Sequence, residues 1–163
     1  MRLALFYLLI FFSQSFWGAW FAPLPAPDLF LLAVLTLLWR VSPWQLVLIG
    51  YGIGLLQDAL SGGNFGLHAL GLAGGAMGAL LVRSQITQKS FLERSMAVLL
   101  AVAGKWLTVI PLLVWQSGNW TPLRGVLDVF PAEALFTILF ALLLLPWGEA
   151  LMERDRVLRK ELL

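Results

Sequence analysis

Residues 43–82 read PWQLVLIGYGIGLLQDALSGGNFGLHALGLAGGAMGALLV, two apolar segments separated by the polar stretch 61–64. Ser42 followed by Pro43 is typical of a helix start, and the glycine-rich stretch ends that helix, so we predict helices over 43–60 and 66–82. Small residues spaced four apart lie on one helix face and allow close helix approach in lipid. We therefore expect these helices to form the tightly packed centre. The spacing occurs in Gly50-x-x-x-Gly54, Gly71-x-x-x-Gly75 and Gly74-x-x-x-Gly78.

The composition of the whole chain extends this interpretation to a membrane protein. Of its 163 residues, 60% are hydrophobic and 12% are charged, with a mean hydropathy of +0.87. Soluble domains have about 45–50% apolar and about 25% charged residues, so an ordinary water-soluble globule is excluded. At about 20 residues per span, the chain has room for about six helices and no additional soluble domain. We predict an all-α integral membrane protein with a single membrane domain over 1–163.

The remaining apolar segments complete a bundle of six predicted spans. The first could instead be a signal peptide, but it is too long for the apolar part of one and lacks a small-residue cleavage site. Alternate prolines at 23, 25 and 27 then turn the chain. Asp28 is a good N-cap for a helix over 29–40, which is short unless the proline segment completes it against protein or water. The predicted spans are 3–21, 28–40, 43–60, 66–82, 95–115 and 131–150.

Proline and capping signals delimit the last two spans. The capping box over 90–93 opens the fifth helix, which Pro111 is expected to kink. Thr121-Pro122 predicts a short interfacial helix over 122–130 that ends before Pro131. The sixth helix then starts near Pro131 and can continue past Pro146 into the polar tail.

The basic residues predict the orientation of the bundle. With six spans, nine of the eleven Lys and Arg residues lie on the side of both termini, whereas Arg124 alone lies in the outer loops. The positive-inside rule then places both termini in the cytoplasm, and the tryptophans cluster near the two predicted boundaries. This basic surface is best explained by topology and anionic lipid, so we expect no nucleic-acid partner. The nine residues are Arg2, Arg40, Arg83, Lys89, Arg94, Arg154, Arg156, Arg159 and Lys160.

Lys105 is an ionisable residue near the middle of the fifth helix. Charge at that depth costs at least about 2.5–3.5 kcal/mol, so the side chain should face the bundle interior and have a partner. Glu133, near the outer start of the sixth helix, is the nearest candidate in sequence terms. We predict a structural ion pair, with snorkelling of Lys105 to water as one alternative and a proton or substrate-coupling site as another.

Asp58, Ser61 and His68 carry the residue types of a nucleophilic triad. They lie within eleven residues across one turn, and no Gly-x-Ser-x-Gly elbow is present. A polar hairpin that ties the predicted helix over 43–60 to the one over 66–82 explains the same residues. In that interpretation Asp58 opposes the helix dipole and needs compensation from Ser61, Asn64 or the Gly62-Gly63 amides. With no cysteine and a single histidine, thiolate and polyhistidine metal sites are excluded, and we expect no cofactor and no metal.

One segment of the chain resembles the rod-shape-determining MreD family. It begins at Pro27-Asp28-Leu29, continues through Gly50-Tyr51-Gly52-Ile53-Gly54-Leu55-Leu56-Gln57-Asp58-Ala59-Leu60-Ser61-Gly62 and ends at Gly66-Leu67. The core over 54–62, Gly-x-x-x-Asp-x-x-Ser-Gly, is its most family-like part. Chain length and span number are similar over essentially the whole sequence. The second half contributes little beyond topology.

The resemblance implies a non-enzymatic scaffold of the cell-elongation machinery in the bacterial inner membrane. It implies binding to the single-span protein MreC and work with an MreB-type filament, a RodA-type polymerase and a class B transpeptidase. It also implies a fold similar to the six-helix S-components of energy-coupling-factor vitamin transporters. A vitamin-binding S-component is therefore the alternative function, although the first helix is bulky where those proteins have small residues. A hydrolase using Ser61 is a third hypothesis. We expect Asp58, Ser61, Gly62, Lys105, Glu133, Gly71 and Gly75 to serve structure or interaction.

Overall fold

A computed structural model describes residues 2–20, 26–61, 65–85 and 91–161. Six helices, and no strand, occur in these ranges, which confirms the all-α fold class. They are α1 (Arg2–Trp20), α2 (Leu29–Leu35), α3 (Pro43–Ser61), α4 (Leu67–Gln85), α5 (Phe91–Ser117) and α6 (Thr121–Glu161). Some predicted features lie outside the described residues: Pro23 and Pro25 of the first turn, Gly62 to Asn64 of the second, and Ser90 of the capping box.

Three helices are long and apolar enough to cross a membrane among the residues described: Leu67–Ser84, Phe91–Ser117 and Leu123–Leu151. Large apolar side chains also cover the outside of the bundle, with Leu107, Trp115 and Leu143 among the most exposed. Contiguous apolar surface of this kind is rare on water-soluble monomers. The chain is a membrane protein with transmembrane helices.

Helix α2 is the most deeply buried element. All seven of its residues are buried, and its length is only about 10 Å at 1.5 Å per residue. The predicted helix over 29–40 is therefore wrong beyond Leu35, where the chain continues in tighter turns such as Leu38 N–H to Leu35 C=O. Arg83 compensates the freed carbonyls, since its guanidinium donates to the oxygens of Leu38 and Val41 at 2.7 and 2.6 Å. The short helix is thus completed by contacts with protein.

Helix α4 packs closely between α3 and α5 through glycine contacts. A Cβ added at Gly54 would lie 2.6 Å from the amide nitrogen of Ala69, so α3 and α4 approach almost backbone to backbone. On the other face of α4, a Cβ at Gly104 would lie 3.2 Å from the Cα of Gly78. The predicted close approach of α3 and α4 is present. The glycine-mediated packing continues into α5 through Gly104, which we did not predict.

The C-terminal helix corrects two predicted boundaries. Thr121–Glu161 is one continuous helix with Pro131 and Pro146 inside it, so the predicted end of a short helix before Pro131 and the predicted start of a new helix at Pro131 are wrong. A proline costs its own N–H bond and needs room for its ring. Pro131 is exposed and α6 continues on both sides of it, so the missing N–H bond does not end the helix here. Helix α5 begins at Phe91, where the capping box over 90–93 predicts a start, and extends past the predicted end at 115 to Ser117. Gly118, with φ +66, caps it by donating its backbone N–H to Val114 C=O.

We predict that Gly54→Ala destabilises the protein by about 1–3 kcal/mol, because the added methyl group collides with the backbone of α4. Gly52→Ala is the matched control on the same helix, since nothing lies within 4 Å of its Cβ position. Removing that glycine should leave stability unchanged or raise it by up to about 1 kcal/mol. Thermal unfolding of the detergent-purified protein, followed by circular dichroism, measures both. Equal melting temperatures for the two variants would contradict the close packing.

Candidate functional site

An ion cluster of three charged side chains lies inside the helical bundle. Lys105 of α5 donates from Nζ to Oδ2 of Asp28 at 2.5 Å and to Oε1 of Glu133 of α6 at 2.6 Å. The side chains of Lys105, Asp28 and Glu133 are 12%, 4% and 8% exposed. We call these three residues the buried ion cluster. It joins α5 and α6 to the residue that precedes α2.

The structure contains the predicted Lys105–Glu133 ion pair and adds a partner that the sequence analysis missed. Asp28 was predicted only as the N-cap of the second helix. It does cap α2, since Leu31 N–H donates to its Oδ1 at 2.9 Å. Its other carboxylate oxygen binds Lys105. The sequence signal for this second partner was the position of Asp28 between a proline segment and a wholly apolar helix. An acidic residue at such a position is buried, so its carboxylate needs a buried partner in addition to the amides of the helix.

Neutral polar groups hold Asp28 in place. Thr137 of α6 accepts the Asp28 backbone N–H at 3.0 Å, and Gln14 of α1 accepts that of Leu29 at 2.9 Å. These bonds satisfy amides that a helix N-terminus leaves without intrahelical partners. The start of α2 is therefore fixed by side chains from α1, α5 and α6.

Gly71 and Gly75 of α4 lie against the aliphatic stem of Lys105. A Cβ at Gly71 would lie 3.4 Å from Cγ of Lys105 and 2.9 Å from a methyl group of Val109. A Cβ at Gly75 would lie 2.7 Å from Leu31 and 3.6 Å from Cβ of Lys105. The two glycines thus leave room for the lysine stem and for α2, and the lysine ammonium lies 5.4 Å from the centre of the Trp106 ring.

Asp58 forms a second buried site at the junction of α3 and α4. Its carboxylate accepts the backbone N–H groups of Gly66, His68 and Ala69 at 2.8, 3.0 and 3.2 Å. Nδ1 of the His68 ring lies 2.7 Å from Oδ1 of the same carboxylate. An acid at the end of α3 thus caps the beginning of α4, where the helix dipole favours negative charge. Of the donors predicted for this carboxylate, Ser61 binds the Asp58 backbone oxygen instead, and Gly62, Gly63 and Asn64 lie outside the described residues.

Ser61 does not take the position of a nucleophile activated by His68. Its hydroxyl donates to the backbone oxygen of Asp58 at 3.2 Å, and its side chain is exposed. In the part of the chain that the structure describes, no hydrogen bond joins Ser61 to His68. Gly62, which we also expect to serve structure or interaction, lies with the rest of the turn over 62–64 outside the described residues. The geometry is that of a polar tie between two helices. Likewise, no group of three metal-binding side chains occurs among the residues described.

Basic side chains from three chain segments meet at the end of the bundle where α6 passes Glu149. Arg94 at the start of α5 pairs with the Glu149 carboxylate at 2.9 Å, and Arg40 donates to the Glu149 backbone oxygen at 3.0 Å. Arg83 at the end of α4 binds the turn beside Arg40. These contacts hold together the turn after α2, the end of α4, the start of α5 and the part of α6 around Glu149.

A comparison with protein families gives one match that covers nearly the entire chain. The family described as rod shape-determining protein MreD matches residues 1–154 of the chain. No curated protein and no solved structure matches the chain.

We predict that Lys105→Met destabilises the protein by about 3–5 kcal/mol, because it leaves two buried carboxyl groups without their cation. The control is Arg124→Met, which removes an exposed cation from α6 and should have little effect. Thermal unfolding in detergent measures both variants. An unchanged melting temperature for Lys105→Met would show that the ion cluster does not stabilise the fold.

Proposed function

Because the chain belongs to the MreD family of rod shape-determining proteins, we propose that it acts as a non-enzymatic scaffold of the bacterial cell-elongation machinery. The match over residues 1–154 is the observation that carries this proposal. The scaffold supports rod shape and peptidoglycan synthesis by holding other membrane proteins together. Its direct partner is an MreC-type single-span protein, and through it an MreB-type filament, a RodA-type polymerase and a class B transpeptidase.

The contacts of the interior residues support a structural role. Asp28, Lys105 and Glu133 bind one another, while Asp58 binds the amides that begin α4. In a lipid environment such contacts stabilise helix packing, because unpaired polar groups are costly there. The side chains of Asp28, Asp58, Lys105 and Glu133 are thus engaged in joining helices. The vitamin-transporter alternative has no support from the comparisons.

We further propose a bundle of six spans, similar to the transporter S-component fold, with both termini in the cytoplasm. The meeting of Arg40, Arg83 and Arg94 at one end supports this orientation, because basic residues stay on the cytoplasmic side. Helix α1 begins at that same end, since Phe6 contacts Trp147 at 5.5 Å between ring centres. The protein would then reside in the cytoplasmic membrane with the Asp58 site towards the outer side.

The scaffold function is tested in a rod-shaped bacterium that lacks its own MreD-family protein. We expect this chain, expressed with its cognate MreC-type protein, to restore rod shape and to co-purify with that protein in mild detergent. A six-span transporter with the same tag and expression level is the control for nonspecific association. Spherical cells together with failure to co-purify, at normal membrane levels of the chain, would overturn the proposal.

The orientation is tested with single cysteines, because the natural chain contains none. Ser117→Cys, at the exposed end of α5, should react with a membrane-impermeant maleimide in spheroplasts. Ser84→Cys, at the exposed end of α4, should react only after permeabilisation. The two sites serve as controls for each other. The reverse pattern would invert the proposed orientation, and equal labelling of both in spheroplasts would exclude it.

A further inference from the structure

The charges of the buried ion cluster do not balance. Asp28 and Glu133 supply two carboxyl groups, whereas Lys105 supplies one ammonium group, and all three side chains are nearly inaccessible. If both carboxyl groups were ionised, the cluster would keep one net negative charge inside a membrane protein. A buried charge without a counter-charge is more costly than its neutralisation by a proton.

No second cation faces the cluster among the described residues of the surrounding helices. Where the structure describes their side chains, the other titratable or charged residues of these helices are engaged elsewhere or lie on the outer surface. Trp106 of α5, Gln14 of α1 and Thr137 of α6, which lie at the cluster, are uncharged. The groups engaged elsewhere are Tyr7 with Thr36, Asp58 with His68, Arg83 with the turn after α2, and Arg94 with Glu149, while Arg124 and Asp128 are exposed.

The hydrogen bonds distinguish the two carboxyl groups. Both oxygens of Asp28 accept a donor, Oδ1 from Leu31 N–H and Oδ2 from Lys105. This pattern is suited to a carboxylate, because charge-assisted donors and the start of α2 both favour the anion. Glu133 binds Lys105 through Oε1, and the side chain of Trp106 is a further, uncharged polar neighbour of its carboxyl group. Its second oxygen, Oε2, is the position at which a proton can be added without losing either lysine contact.

We propose that the buried ion cluster is a binding site for one proton, held on Glu133 at neutral pH. The proton, taken from water, forms a neutral carboxyl group beside the Lys105 ammonium and the Asp28 carboxylate, and the cluster as a whole becomes neutral. This inference is independent of the scaffold function, because it follows from the charge count and the contacts of three side chains.

Proton release would couple the packing of three elements to pH. The deprotonated cluster carries an excess negative charge between α5, α6 and the start of α2. The folded protein retains a proton that an exposed glutamate would release, so its stability should fall as the pH rises through the titration of this site. This pH dependence of stability is opposite to that of a surface carboxylate in a stabilising salt bridge, whose contribution is lost as the pH falls.

Infrared spectroscopy of the purified full-length protein tests the site directly. The C=O stretch of a protonated carboxyl group is separate from that of a carboxylate and shifts on exchange into deuterated water. We expect this acid band in the wild type at neutral pH, and we expect Glu133→Gln to remove it. Glutamine has the shape of the protonated acid, so this variant should also keep its melting temperature constant where that of the wild type falls with rising pH.

Asp28→Asn distinguishes charge balance from burial alone. In this variant one ammonium faces one carboxyl group, so Glu133 should ionise and the acid band should disappear although Glu133 is present. Persistence of the band in Asp28→Asn would overturn the charge-balance argument. Absence of the band from the wild type, or sodium-dependent stabilisation of the wild type in place of the band, would overturn the proton site. If Asp28→Asn does not fold, a pH titration of the wild type replaces this test. The acid band of the wild type must then disappear as the pH rises.

Discussion

A buried ammonium group between two carboxyl groups determines how the helices of this protein are arranged. In a bundle surrounded by lipid, a charge in the interior is tolerated only if its partners lie within hydrogen-bond distance. Lys105 therefore requires Asp28 and Glu133 beside it, and this requirement places the start of α2 and the N-terminal half of α6 against the middle of α5. Gly71 and Gly75 make the arrangement possible from the α4 side, because larger residues there would displace the lysine stem or α2.

The same constraint explains how a helix of seven residues can occupy the centre of the bundle. Short helices leave most of their terminal amides and carbonyls without intrahelical partners, and lipid supplies none. At the start of α2 these partners are Asp28 and Gln14, and after its end Arg83 binds two carbonyls of the following turn. Arg83, one of the basic residues from which we predict the membrane orientation, thus also completes backbone hydrogen bonding.

Much of this architecture could be predicted from local patterns. The apolar segments and their capping residues give most helix limits within a few residues, since they depend on contacts within one turn. The local sequence around Pro131 predicts a helix end, because proline lacks an N–H donor and its ring crowds the preceding turn, yet the helix in the structure continues through it. Asp58 was recognised as needing compensation, but the amides that supply it belong to the next helix. For Asp58 the local signal was correct, but its partners lie in the next helix and are not visible in the local sequence.

The sequence by itself determined that the protein is helical and membrane-embedded, where its helices begin, and that Lys105 needs an acidic partner. These properties follow from hydropathy, capping chemistry and the cost of burying charge, all of which act residue by residue. Only the tertiary structure decided that Asp28 is the second partner, 77 residues away, and that two acids share one base. A side chain can satisfy its charge with any group that the fold brings near, so the choice of partner depends on how distant helices pack.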